Sequence, residues 1–284
     1  MYSKLTLLTT FVLFAYANLY AQNKVKKASE NNYGYIRMGA GYNMPVSGQS
    51  TGYSDVPYSG TITYGLSGPL AFNVQRASFT AGTVGNIAVG AVFKKNIGFE
   101  VNTIFNISGT KYTGNLERNG NGYTSKERYH YKKNNNLFIN PNIILETGNN
   151  VKAYLRTGVV LPVLSRMEND FYYDEIDSGI QRIIYGSEKI RHSFNIGFAG
   201  AAGLKIKLTK EVMFLLEANY TSLSLNTKSV ELTSLFYNNR NVFSYVSNTS
   251  QRYSSNSKNS GNSYPAATHP YSSVGLHVGL EFSF

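Results

Sequence analysis

A chain of 284 residues with 23 Tyr, 26 Gly and 7 Pro but no Cys and no Trp has no disulfide framework, no lipid-modified cysteine and no thiolate for catalysis or metal binding. Beyond the first 21 residues no stretch approaches 18 consecutive apolar positions, which excludes membrane-spanning helices. The formal charge of +11 is spread along the chain and not gathered on one face, so nucleic acid is not an expected partner.

Residues 1–21 read as a cleaved export signal, with Lys4 as its positive start, a mostly apolar run from Leu5 to Leu19, and a small residue, Ala21, before Gln22. The remainder, 22–284, carries no Pro-rich or charge-run boundary and is expected to be one domain.

Eight segments of about ten residues then alternate in polarity with a period of two. The first, Tyr33 to Tyr42, sets Ile36, Met38, Ala40 and Tyr42 against Tyr35, Arg37, Gly39 and Gly41. Val84 to Phe93 and Ile97 to Ser108 follow, the latter with Phe99, Val101, Phe105 and Ile107 opposed to Glu100, Asn102 and Asn106. Leu137 to Glu146 offers Leu137, Ile139, Ile143 and Leu145 on one face, and Val151 to Leu164 places Lys152 and Arg156 opposite a branched aliphatic face. Phe194 to Leu208 does the same with Lys205, and the run around Phe214 to Tyr220 with Glu217 and Asn219. The last, Val274 to Phe284, opposes six apolar residues to Gly275, His277, Gly279, Glu281 and Ser283.

A soluble sandwich also alternates, but here the connections alternate in length. Lys94-Lys95-Asn96, Gly148-Asn149-Asn150 and Thr209-Lys210-Glu211 are tight turns, whereas Asn43 to Thr83, Gly109 to Asn136, Ser165 to Ser193 and Asn226 to Pro270 are long and polar. This predicts an all-β fold: an eight-stranded antiparallel up-and-down transmembrane β-barrel with four long extracellular loops, closed because an open edge in hydrocarbon leaves backbone groups unpaired.

Eight strands enclose little more than their own side chains. Arg37, Lys152, Arg156 and Lys205 face inward and are offset by Glu100, Glu146, Glu217 and Glu281, which predicts a lumen charge network in preference to a lined path. His277 is expected to be hydrogen-bonded near Glu281 and not to act as a proton switch.

The second long loop is basic, with Lys111, Arg118, Lys126, Arg128, Lys132 and Lys133 against Glu117 and Glu127. It is either a solvated loop or a partner for the phosphates of lipopolysaccharide. Glu168, Asp170, Asp174, Glu175 and Asp177 cluster in the third, but without EF-hand spacing a solvated acidic segment is favoured over a Ca²⁺ site, and no metal or other cofactor is expected. His130, His192 and His269 lie in or beside the long loops, with Ser193 and Ser272 near two of them; sequence proximity is no triad, and no enzymatic activity is expected.

The final residues, with Gly279, Phe282 and Phe284, resemble the C-terminal signal by which outer-membrane barrels are read by the barrel assembly machinery. "KNIGFEV" (Lys95 to Val101), "LFINPNIILETGNNVKAYLRTGVVLPV" (Leu137 to Val163) and "GFAGAAGLKIKLTKEVMFLLEANY" (Gly197 to Tyr220) resemble small, porin-family-like outer-membrane barrel proteins of Bacteroidota-type Gram-negative bacteria, similar in architecture to OmpA-type and OmpW-type barrels. The resemblance implies integral outer-membrane localisation among lipid and lipopolysaccharide, and a structural, adhesive or partner-binding role through the loops. The alternative is a narrow channel or transporter for ions or small apolar molecules. Unlike full-length OmpA proteins, the chain is not expected to carry a peptidoglycan-binding domain.

Overall fold

The computed structural model of the chain describes residues 32–46, 52–53, 56–57, 60–65, 68–74, 77–93, 96–107, 111–133, 136–246, 250–254, 263–265 and 268–284. The export signal expected at 1–21 lies outside the described residues. The strands in order are β1 (Tyr33–Pro45), β2 (Gly52–Tyr53), β3 (Val56–Pro57), β4 (Gly60–Gly65), β5 (Gly68–Val74), β6 (Gly82–Phe93), β7 (Ile97–Asn106), β8 (Lys111–Gly120), β9 (Tyr123–Lys133) and β10 (Leu137–Gly148). There follow β11 (Val151–Leu164), β12 (Arg166–Asp177), β13 (Ile180–His192), β14 (Gly197–Lys207), β15 (Val212–Ser222), β16 (Ser224–Tyr237), β17 (Arg240–Asn241), β18 (Ser250–Ser254), β19 (Ser263–Pro265), β20 (Thr268–Pro270) and β21 (Ser273–Ser283).

Eight of them close into a barrel in the order β1-β21-β15-β14-β11-β10-β7-β6, every pair antiparallel. They are the eight alternating segments of the sequence. Because successive side chains point to opposite faces, Ile36, Met38, Ile87, Phe99, Ile143, Leu155 and Leu204 stand exposed on the outside, as do Phe198 (51%) and Leu276 (62%). The polar partners of the same strands turn inward and are buried. Close approach of strands requires glycine at Gly158, where a Cβ would lie 2.0 Å from the Pro141 carbonyl oxygen across the β10–β11 pair.

The long connections are not mainly irregular, as a reading of them as loops would have it. Between β11 and β12 stands Ser165 alone, and between β15 and β16 Leu223 alone, so these barrel strands are prolonged beyond the rim. In the second sheet the run β16-β13-β12-β9-β8 repeats the wall order β15-β14-β11-β10-β7, and β4 then adds parallel to β8. The hairpin tips set the pairing of the strands that they join. Ser178 (φ 51°) and Gly179 (φ 82°) turn β12 into β13, and Asn238 (φ 45°) and Asn239 (φ 64°) turn β16 into β17. Two left-handed residues in a two-residue connection match the strand twist.

Polarity inverts between the two storeys. Next to the barrel the inner face of the prolongation is mainly apolar and packs a core of Phe79, Tyr131, Phe138, Val160, Met167, Ile190, Leu223, Leu225, Val230 and Tyr271 at the barrel mouth, with Ser125, Glu127, Asn169 and Thr227 as buried polar residues on the same strands. Its outer face is largely polar, with Lys126, Arg128 and His130 exposed along β9. The change comes between Val163 and Arg166 on one strand and between Phe194 and Arg191 on its neighbour, all four exposed.

Candidate functional site: the lumen and its mouth

Alternation delivers all eight charged residues singled out in the sequence to the lumen, seven of them buried and Lys152 nearly so. Arg37 (β1), Glu217 (β15), Arg156 (β11) and Glu100 (β7) come from alternate strands of the circle, so four long side chains share one layer without competing for the same wall position. Arg37 Nη2 lies 2.7 Å from Glu100 Oε1, and its Nη1 3.5 Å from Glu217 Oε2. Arg156 donates through Nη2 (2.5 Å) and Nε (2.8 Å) to the two oxygens of Glu217, and its Nη1 stands 3.8 Å from Glu100. The Tyr35 hydroxyl donates to Glu100 (3.0 Å) and that of Tyr154 to Glu217 (2.7 Å).

The second group sits nearer the short-turn rim. Lys152 and Lys205 occupy directly opposed positions on β11 and β14, and Glu146 lies between them, 2.8 Å from one ammonium and 3.0 Å from the other. Lys205 is also 2.7 Å from Glu281, and the Tyr33 hydroxyl donates to Glu146. Two charge layers with matched acids and bases thus cross the lumen, which is what buried charges need to be tolerated. The cavity beside them, lined by Arg37, Asn86, Tyr154, Glu217 and His277, measures ≈ 10 Å³, about the room of one water.

His277 does not lie near Glu281, as the sequence suggested. Four residues along a strand span about 13 Å, so the two share a face but not a layer. His277 Nε2 is 2.6 Å from Asn219 Nδ2 and 3.0 Å from Asn43 Oδ1, its Nδ1 is 3.1 Å from Asn86 Nδ2, and the carboxylate it approaches is Glu217, at 4.0 Å.

Sequence reasoning missed what closes the mouth. Ala77, Ser78, Phe79, Thr80 and Ala81, ahead of β6, are all buried. The Phe79 ring sits 5.3 Å from that of Tyr112 and 5.6 Å from that of Tyr271. Phe79 N donates to the Pro270 carbonyl (2.9 Å), Thr80 Oγ1 to the Tyr271 carbonyl (2.8 Å), and Ser78 exchanges two hydrogen bonds with the Tyr112 hydroxyl. A five-residue plug is therefore held from several strands. Its only trace in the sequence is Ala77-Ser78-Phe79-Thr80-Ala81 itself, one large residue among small ones inside a connection that otherwise reads as polar.

Beside the plug, His192 and His269 meet ring to ring at 4.8 Å. Burial pushes His192 down to about 4, and it pushes His269 well below its ordinary value, His192 adding to the effect. The serine that reaches His192 is Ser165, 3.0 Å from Nδ1, and it also donates to the Tyr271 hydroxyl. Neither Ser193 nor Ser272 plays that part: Ser272 Oγ bonds the Leu223 backbone, while His130 lies on the exposed outer face with Thr113.

The acidic cluster is divided by the strand it turned out to form. On β12 Glu168, Asp170 and Asp174 take one face and Glu175 and Asp177 the other. Asp170 pairs with Lys132, Asp174 accepts from Gln181, and Glu175 stands 3.4 Å from Arg182. Among the basic positions Arg118 meets Glu127 at 2.8 Å and Lys126 meets Glu117 at 3.4 Å.

No family model and no curated protein matches the chain. Among solved structures it is similar to the outer membrane protein OprG from Pseudomonas aeruginosa, with 10% identity over 89% of this chain and 96% of that one and a TM-score of 0.42. It is also similar to Neisserial surface protein A, with 12% identity over 90% and 100% and a TM-score of 0.35. At such identities the function has to be read from the chain's own residues.

Proposed function

We propose that the chain is an integral outer-membrane barrel with an occluded lumen, whose work is done by the wall it raises above the membrane. The observation that carries this is the inversion of polarity between the two storeys. An apolar outside over a charged inside suits hydrocarbon, and a charged outside over an apolar inside suits water. In such membranes long connections face outward, so the prolonged sheet is the surface offered to partners and the short-turn rim, with the start of β1 and the end of β21, faces the periplasm. The plug and the upper charge layer lie in series across the lumen, which favours an anchor and display role over a diffusion channel. The eight lumen charges hold the barrel shut and rigid. Gly279, Phe282 and Phe284 serve as the assembly signal, the last strand being tied to the first by reciprocal backbone bonds between Phe284 and Gly34 at 3.0 and 3.1 Å.

The test is fractionation of the expressed full chain, a gel comparison of unheated and boiled protein, and planar-bilayer recording. Outer-membrane recovery, a heat-dependent shift and silent traces are expected. Steady conductance would refute the occluded lumen, and recovery as a soluble periplasmic protein would refute the barrel's location.

A further inference from the structure

Arg166 and Arg191 are direct cross-strand partners, the first pair of the β12–β13 hairpin. Both are exposed, Arg191 with 62% of its side chain free. They stand three residues past Val163 and three before Phe194, at the line where the apolar belt ends. Like charges directly opposed on one face of a sheet repel. The lumen shows how this chain resolves the same arrangement, since the opposed Lys152 and Lys205 are bridged by Glu146. On the outer face, among the described residues, Arg191 has Glu231 at 3.3 Å on its far side, but Arg166 has no carboxylate within ion-pair reach. The Arg166 backbone N–H donates to the buried Asn136 Oδ1 at 3.3 Å, which fixes the strand that carries its guanidinium.

We infer that Arg166 and Arg191 form a clamp for a phosphate of the phosphorylated glycolipid in the outer leaflet. The inference rests on the outer-membrane reading above and adds the occupant of the boundary. Two planar forks can share the several oxygens of one phosphate in a way that a single carboxylate between them cannot match. The height of the pair on the wall sets it level with lipid headgroups, above the acyl chains that face Val163 and Phe194.

The experiment uses the refolded full chain in phosphatidylcholine vesicles containing lipid A, enzymatically dephosphorylated lipid A, or neither. Lipid retention and the urea midpoint of the heat-shifting form are measured for wild type, Arg166→Gln and Arg166→Gln/Arg191→Gln. Wild type is expected to hold lipid A at least about ten-fold more tightly than its dephosphorylated form, and the double variant to lose that difference. Without lipid A the single variant should be as resistant to urea as wild type or more so, because repulsion is relieved; with lipid A the order should reverse. Retention that ignores the phosphates, or survives in the double variant, overturns the clamp. Displacement by inorganic phosphate at equal concentration shows a free-anion site and overturns the lipid assignment. A chain with no heat-dependent shift sinks the outer-membrane reading itself, whereas a folded barrel indifferent to phosphate sinks the clamp alone.

Discussion

Arg156 and Glu217 meet as a two-pronged pair, Nε to Oε2 at 2.8 Å and Nη2 to Oε1 at 2.5 Å, although their strands β11 and β15 are not neighbours in the wall. The intervening strand β14 makes this possible by offering only Ala201 and Gly203 at that level. Glu217→Gln would leave Arg156 buried with half its compensation and weaken the hold on Arg37. A loss of about 3–5 kcal/mol is expected, read as the urea midpoint of the heat-shifting form. Arg156→Met/Glu217→Leu should lose clearly less than Glu217→Gln, because no unpaired charge remains.

Phe79→Ala removes the largest side chain of the plug from a core of aromatic and aliphatic neighbours. The mouth should loosen by about 3 kcal/mol or more, seen as faster protease cleavage near residue 79. Bilayer traces should nevertheless stay silent, since the Arg37, Glu100, Arg156 and Glu217 layer lies below it. Conductance in this single variant would show that the plug alone shuts the lumen.

The two histidines beside the plug, His269 buried and His192 half-buried, give the mouth a pH dependence of definite sign. His192 is depressed to about 4 in the folded chain, against about 6.5 unfolded. Between these values the unfolded chain binds more protons, so the stability contribution is full above about pH 6.5 and is lost as pH falls toward 4. His269 shifts the same way, while Glu188 on β13, raised by burial, acts in the opposite direction and keeps part of the acid-side stability. Their immediate neighbours Ser165, Thr227, Phe79 and Tyr271 carry no charge at these pH values. Proteolysis of the prolonged sheet should therefore quicken between about pH 7.5 and about pH 5. His192→Gln should flatten the change, and an unaltered pH profile in that variant would count against the histidine pair as its source.

Phe284→Ala tests the proposed assembly signal apart from the strand that carries it. The backbone bonds to Gly34 remain and the ring is exposed on the outside, so refolding in detergent should change by less than about 1 kcal/mol. The amount recovered from the outer membrane in cells should fall several-fold. Equal recovery would mean that the terminal ring contributes only to the lipid-facing surface.

The eight barrel strands were legible in the residues themselves, because a period of two survives in any strand whose two faces meet different media. Glu100 against Phe99 and Val101, or Lys205 against Leu204 and Ile206, states which side is lumen before any fold is known. Phe171 and Met167 alternate with Tyr172 and Glu168 in the same way, but with apolar residues inside and polar ones outside. A rule tuned to lipid-facing strands therefore reads them as a polar loop.

Alternation within each strand is thus what this sequence determined unaided: the number of spanning segments, the direction of every inward charge, and the tight and long connections between them. Which charges would meet depended on strand order and stagger around the closed circle. These set Arg156 of β11 on Glu217 of β15 and moved His277 away from Glu281 to the asparagines at its own level. The plug was likewise decided only in three dimensions, since Phe79 finds its pocket among Phe138, Leu225 and Tyr271, residues between about 60 and 190 positions distant in the chain. Local pattern fixes a side chain's face; only closure of the wall fixes its partner.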